Sequence, residues 1–119
     1  MPTKRTYALL IYRADQDPTP EEDRRALKAH RTVQSESAAR GELHAVARLD
    51  HVATAKTVRV RRGAHATSDG PYAETKEWLV GFYVIDCANE EEALQRARAI
   101  CPIDDHAIEV RPVTWRWKP

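Results

Sequence analysis

The sequence predicts an α+β domain with a ferredoxin-like split βαβ sheet and an inserted β-hairpin. Two segments, 6–13 and 79–86, are apolar on both alternating sides, which is typical of strands covered on both faces. Two other segments begin with helix-capping residues. Apart from the hairpin, the elements follow the order strand, helix, strand, strand, helix, strand, and this order indicates the split βαβ class.

The first helix is predicted from about residue 20 to residue 40. Thr19 can cap it, Pro20 suits the first helical position, and Glu22 completes a capping box. Gly41 is expected to end it. Its inward stripe reads Leu27, His30, Val33 and Ser37.

Alternation of apolar residues and turn signals place the remaining elements. They are, in chain order, a strand at 43–49, a hairpin at 56–67 with its turn at Gly63, a strand at 79–86, a helix capped by Asn89 and ended by Pro102, and a strand at 107–113. A linker, ADQDP at 14–18, separates the first strand from the first helix. The chain shows no internal repeat, so one domain over residues 1–119 is expected.

The two strands with two apolar faces predict a homodimer. Two helices can cover only one face of a four-stranded sheet, so the second apolar face needs another cover. A second copy of the same sheet is the simplest one.

The composition argues against several classes of function. Charged residues make up 31% of the chain and the net charge is +1, so a nucleic-acid backbone would meet no dominant positive surface. The apolar part of the N-terminal stretch is about six residues long, too short for a signal peptide or a membrane span. We therefore expect a cytoplasmic protein that binds neither nucleic acid nor a membrane.

The cysteine and histidine spacings give no sign of a metal site. Cys87 and Cys101 form no CxxC or Cys/His pattern and are expected to be free thiols. Four histidines besides His30 are scattered over the predicted elements, namely His44, His51, His65 and His106. We expect no bound metal and no cofactor.

The stretch SDGPYAETKEW, residues 68–78, is a candidate site wall because a charged loop here enters a buried strand. Asp69 can charge-balance a catalytic group or accept a substrate hydroxyl, and Tyr72, Lys76 and Glu77 can bind a ligand. The alternatives are an Asx-turn role for Asp69, a lid role for Tyr72, and a solvated ion pair for Lys76 and Glu77.

His30 is the candidate catalytic base, because imidazole titrates near neutrality and lies here on the inward helix stripe. The alternative is a buried histidine with a structural hydrogen bond. In a split βαβ sheet the 6–13 and 79–86 strands should be central neighbours, with the first helix packed across them. The loop that enters the 79–86 strand should therefore pass close to this helix, so we expect Asp69 or a neighbouring ionisable residue to share one pocket with His30.

The segment DGPYAETKEWLVGFYVID, followed by a capped helix and EVRPV, resembles the YCII-related proteins, in particular the subfamily named for a DGPF motif. The similarity extends from residue 7 to residue 113. Tyr72 stands where the family usually has Phe, and Val80 where Gly is common. The resemblance implies a dimeric α+β barrel. In one branch of the family a histidine eleven residues before the helix-ending glycine is a suspected active-site residue, and His30 precedes Gly41 by the same spacing.

Two functions are implied by this resemblance. The first is a small-molecule-binding protein or enzyme doing proton-transfer chemistry, such as isomerisation or elimination, on a small cyclic or aromatic-derived compound. Some relatives resemble muconolactone-isomerase-like and dehydrochlorinase enzymes. The alternative is a non-catalytic interaction module linked to sigma-factor regulation, since DGPF-type domains accompany extracytoplasmic-type sigma factors.

Overall fold

The computed structural model describes residues 3–14 and 18–119, and within them the chain is a mixed α+β structure with antiparallel sheets and two helices. The elements are β1 (Arg5–Ala14), α1 (Pro20–Ala39), β2 (Leu43–Arg48), β3 (Lys56–Arg61), β4 (Ala64–Asp69), β5 (Glu77–Cys87), α2 (Glu90–Ala99) and β6 (His106–Pro112), with a 3₁₀ turn at Val52–Thr54. The predicted order of strands and helices is therefore confirmed. Residues 15–17 of the predicted linker lie outside the described residues.

The four-stranded sheet has the order β2-β5-β1-β6, with every neighbouring pair antiparallel. The two strands with two apolar faces, β1 and β5, are the central neighbours, as predicted. Leu9 lies opposite Tyr83 on one side and opposite Val110 on the other. A bulge interrupts the β1–β5 pairing between Ile11 and Tyr12.

Strands β3 and β4 form a separate two-stranded sheet, which is the predicted hairpin. Its turn residues, Arg62 and Gly63, both have positive φ values, of 52° and 80°. This conformation matches a type I′ turn, whose twist suits a tight hairpin and whose second position favours glycine. Nearly all of the hairpin is exposed, and only Thr57 is buried.

The core lies between one face of the sheet and both helices. Its strand residues are Tyr7, Leu9 and Ile11 from β1 and Tyr83, Ile85 and Cys87 from β5. Val33 of α1 and Ala93 of α2 pack against them, with Ile100 at the end of α2. Because both helices pack on this face, the opposite face of the sheet is partly exposed in one copy of the chain. Its apolar residues there are Ala8, Leu10, Tyr12, Phe82 and Val84.

Helix α1 begins with the predicted capping box. The Glu22 backbone N–H donates to the Thr19 hydroxyl, and the Glu22 side chain accepts from the Thr19 backbone N–H. Within its inward stripe Val33 and Ser37 are buried, whereas Leu27 is 41% exposed. Leu27 is more exposed than its place on the inward stripe predicts, because it lines the cavity described below.

A buried ionic network ties α2 to the start of β2. Glu42 is only 4% exposed, and its carboxylate accepts from Arg96 at 3.1 Å and from Lys4 at 3.0 Å. Arg96 also donates to Glu92 at 2.6 Å and to the buried Ser37 hydroxyl at 3.0 Å. This network was not predicted, because Lys4, Ser37 and Glu42 are far from Arg96 along the chain.

Two further expectations concern the thiols and membrane spans. Cys87 and Cys101 are both free cysteines, as predicted. In the described part of the chain, neither helix is long and apolar enough to span a lipid bilayer.

Candidate functional site

Helix α1 and strand β5 bring His30 and Tyr83 together. The His30 Nδ1 atom lies 2.7 Å from the Tyr83 hydroxyl oxygen. The two rings stack, with centroids 5.7 Å apart and an interplanar angle of 19°. Gln34, one turn after His30 on α1, donates from Nε2 to the same hydroxyl at 3.1 Å. His30 is therefore held in one orientation by a tyrosine that is only 1% exposed.

These three side chains line a cavity of about 710 Å³ between α1 and the sheet. Its apolar wall consists of side chains from the sheet, from α1 and from the segment after α2, including Ile11, Leu27, Val46, Val80 and Ile103. Its ionisable groups besides His30 include Arg13, Asp23, Arg48, Asp50 and His106. The volume lies within the usual range of small-molecule sites, about 300–1,000 Å³.

Part of the cavity wall is a row of three side chains across neighbouring strands. In the β-sheet register Arg13 of β1 lies directly between Trp78 of β5 and His106 of β6. All three line the cavity. Arg13 forms no ion pair with any carboxylate of the described residues. A guanidinium beside an indole can hold a negatively charged planar group by hydrogen bonding and stacking.

Burial sets the protonation of the site. It lowers the pKa of His30, and the nearby charge of His106 lowers it further. Burial also raises the pKa of Tyr83, although the hydrogen bond from Gln34 opposes that rise. The pKa of His106 is lowered by burial and by Arg13. At neutral pH the centre of the site therefore combines a neutral imidazole with a protonated phenol.

Comparison with known proteins shows the family of the chain. Residues 6–118 match the YCII-related domain. The chain belongs to the YCII-related family. It is also 42% identical, over 113 residues covering 90% of each chain, to an uncharacterized protein of Rhizobium meliloti (strain 1021).

In this YCII-related chain, residues 69–72, here called the DGPY loop, are held against the hairpin by polar contacts. The Asp69 carboxylate pairs with the Lys56 ammonium group. The Gly70 carbonyl accepts from the Thr57 hydroxyl at 2.7 Å. Tyr72 is 76% exposed, and the Arg59 guanidinium lies over its ring at 5.0 Å from the centroid.

Of the five predicted site residues, His30 lines the cavity. The other four, Asp69, Tyr72, Lys76 and Glu77, are not among the described residues that line it. Trp78 is the residue that the SDGPYAETKEW stretch contributes. The catalytic role of Asp69 and the binding roles of Tyr72, Lys76 and Glu77 stay predictions.

The sequence reasoning missed several site residues, among them Tyr83, Arg13, Trp78 and Gln34. Tyr83 lies in an apolar run that predicts core, and Arg13 and Trp78 lie at strand ends that only the register brings together. Gln34 carried a usable signal, because its i, i+4 spacing from His30 places both on one helix face. Among residues 3–14 and 18–119, no group of three or more His, Cys, Asp or Glu side chains is arranged to hold a metal ion.

Proposed function

We propose that this YCII-related protein binds a small cyclic or aromatic-derived compound in the His30 cavity and acts on it by proton-transfer chemistry, such as isomerisation or elimination. The observation that carries the proposal is a polar centre, His30 with Tyr83 and Gln34, set in the wall of a cavity that apolar side chains also line. A few fixed polar groups within apolar walls are the usual composition of a small-molecule site.

The charges of the cavity favour a ligand with an anionic group at one end. Arg13 supplies a cation without an ion-pair partner in the described chain, and Trp78 beside it supplies a flat apolar surface. Asp23 and Asp50 also line the cavity and offer carboxylates that can take up a proton. A cyclic carboxylate would thus place its negative charge beside Arg13 and its ring against Trp78.

The test uses benzoate as a cyclic carboxylate probe and acetate as its control. Benzoate should raise the melting temperature of the wild type, because a ligand that binds only the folded state stabilises it by mass action. Val46→Trp should abolish the rise by filling the cavity, whereas Val58→Trp on the exposed hairpin should keep it. A rise that persists in Val46→Trp would contradict binding in this cavity.

The catalytic part of the proposal needs a separate measurement. For each compound that a thermal-shift screen of cyclic metabolites identifies, NMR in D2O follows exchange of its C–H protons. Exchange that requires the protein and is lost in His30→Gln supports proton transfer. Binding without exchange would leave the protein as a binding protein.

We also propose that the ferredoxin-like sheets of two copies pack face to face as a dimeric α+β barrel. The partly exposed apolar face of β1 and β5, with Leu10 near its centre, supports this arrangement. Sedimentation velocity should show a dimer for the wild type and for Val60→Lys on the hairpin, and a monomer for Leu10→Lys. A monomeric wild type at micromolar concentration would refute the homodimer.

We further propose that the protein belongs to the DGPF branch of the family and lies in the cytoplasm. The motif Asp69-Gly70-Pro71-Tyr72 supports the first, and the two free cysteines are consistent with the second.

A sigma-factor interaction module is the second candidate function. It is favoured by the exposed ring of Tyr72, which packs on Arg59 outside the cavity lining. Tyr72→Ser should weaken binding to a purified extracytoplasmic-type sigma factor, with Val58→Ser as the matched hairpin control. Equal binding by the wild type and Tyr72→Ser would remove this surface from consideration.

A further inference from the structure

The Tyr83 hydroxyl is the central atom of a short hydrogen-bonded chain. It lies 2.7 Å from His30 Nδ1 and accepts from Gln34 Nε2 at 3.1 Å. Its residue is almost fully buried, so its own proton needs a protein acceptor rather than bulk water. Among the described residues, His30 Nδ1 is the acceptor within reach.

This geometry fixes which atom donates in each hydrogen bond of this short series. A phenol carries one proton, and the Gln34 amide nitrogen already donates to its oxygen. If Nδ1 also donated to that oxygen, the buried Tyr83 proton would have no acceptor, at a cost of about 1–3 kcal/mol. Tyr83 therefore donates to Nδ1, and neutral His30 carries its proton on Nε2.

The other ring nitrogen of His30 is available to a ligand. Nε2 has no hydrogen-bond partner among the described residues, and it is not among the buried polar atoms that lack one. It is therefore open to the cavity that His30 lines.

We propose that Gln34 and Tyr83 are positioning residues that hold His30 as an Nε2–H donor, so that the ligand group it meets is an acceptor oxygen, either a carbonyl or an oxyanion. The inference rests on the proposed function, because it assumes that the cavity receives a ligand. It changes the expected role of His30 from a base to a group that polarises a carbonyl. A carboxylate of the cavity, from Asp23 or Asp50, then has to accept the proton.

The test reads the tautomer of His30 directly, in ligand-free protein. Histidine labelled with ¹⁵N should show a pyridine-type shift for Nδ1 and a pyrrole-type shift for Nε2 at a pH where His30 is neutral. Gln34→Glu should reverse the two, because the introduced carboxylate only accepts: Tyr83 then donates to it and Nδ1 must donate to Tyr83. Glu36→Gln, at an exposed position on the same helix, should change neither shift.

A wild-type spectrum with the proton on Nδ1 would overturn the proposal, and so would an unchanged tautomer in Gln34→Glu. If Gln34→Glu fails to fold, Tyr83→Phe serves instead: without the hydroxyl, both tautomers should be populated and the two nitrogen shifts should move towards each other. Unmoved shifts in Tyr83→Phe would also refute the proposal. Failure of benzoate to bind would count against the proposed function and leave the tautomer result intact.

Discussion

Removing the charge of Arg96 should destabilise the protein more than removing any other charge on α2. Its guanidinium meets Glu42 at 3.1 Å, Glu92 at 2.6 Å and the Ser37 hydroxyl at 3.0 Å, and its side chain is only 11% exposed. Arg96→Met keeps the aliphatic stem and the helix propensity but removes all three bonds. The Glu42 carboxylate would then remain buried, with Lys4 as its main cation.

The expected cost is about 3 kcal/mol, the lower end of the range for breaking a buried ion pair, because Lys4 still neutralises part of the charge. For a domain of this size the melting temperature should fall by roughly 10 °C. The matched control is Arg98→Met, since Arg98 pairs with Glu91 on the exposed side of the same helix. An exposed pair contributes less than about 1 kcal/mol.

Chemical denaturation of both variants at equal protein concentration measures these values. The double variant Glu42→Gln with Arg96→Met should lose less than the sum of the single losses, because the buried Glu42 carboxylate is no longer left without Arg96. Equal losses for Arg96→Met and Arg98→Met would refute the reasoning, and so would strict additivity in the double variant.

The pH dependence of the same network has a definite sign. Burial raises the pKa of Glu42, but the hydrogen bonds and charges of Lys4 and Arg96 outweigh it, so the folded-state pKa lies below the ordinary 4.5. Stabilisation from Glu42 is therefore complete above its unfolded pKa and is lost as the pH falls through its folded pKa. The difference between the wild type and Glu42→Gln should narrow as the solution is acidified below about pH 4.5.

Other predictions concern single residues. Gly81→Ala should cost about 1–3 kcal/mol in denaturant unfolding, since its Cβ would lie 2.8 Å from the Ala47 carbonyl oxygen; an unchanged midpoint would contradict this close packing. Cys87 should resist iodoacetamide at pH 8 in the folded protein, because burial raises its thiol pKa to about 11; mass spectrometry should find it modified only after unfolding. Thr19→Ala should lose about 1 kcal/mol of stability with the capping box, and Thr32→Ala, at an exposed position later in the helix, should lose less.

The fold was predictable because its signals are local. The capping box at Thr19 and the Asn89 cap each depend on residues within one turn, and both are present as expected. The split βαβ order of the elements was sufficient to place β1 and β5 as central neighbours. The bulge between Ile11 and Tyr12 was not predictable, because it depends on how two distant strands align.

The site was predictable only in part, because most of its contacts join residues that are far apart along the chain. His30 was found because a titratable residue stood on an apolar helix stripe. Its partner Tyr83 lies 53 residues away, and its hydroxyl reaches His30 only through the packing of α1 on β5. Arg13, Trp78 and His106 form a row only in the sheet register, which composition and periodicity do not contain.

Asp69 shows where the topological argument was incomplete. The loop before β5 was expected to lie against α1 because β1 and β5 are central, and Trp78 at the start of β5 does line the cavity. Asp69, however, is the last residue of β4, so its position follows the hairpin ladder, in which it lies opposite Lys56. The ion pair with Lys56 and the hydrogen bonds of Gly70 to Ala55 and Thr57 hold that end of the loop on the hairpin. Asp69 is thus held on the hairpin and is not among the described residues that line the cavity, and the hydrogen-bond partner of His30 is a tyrosine of β5 itself.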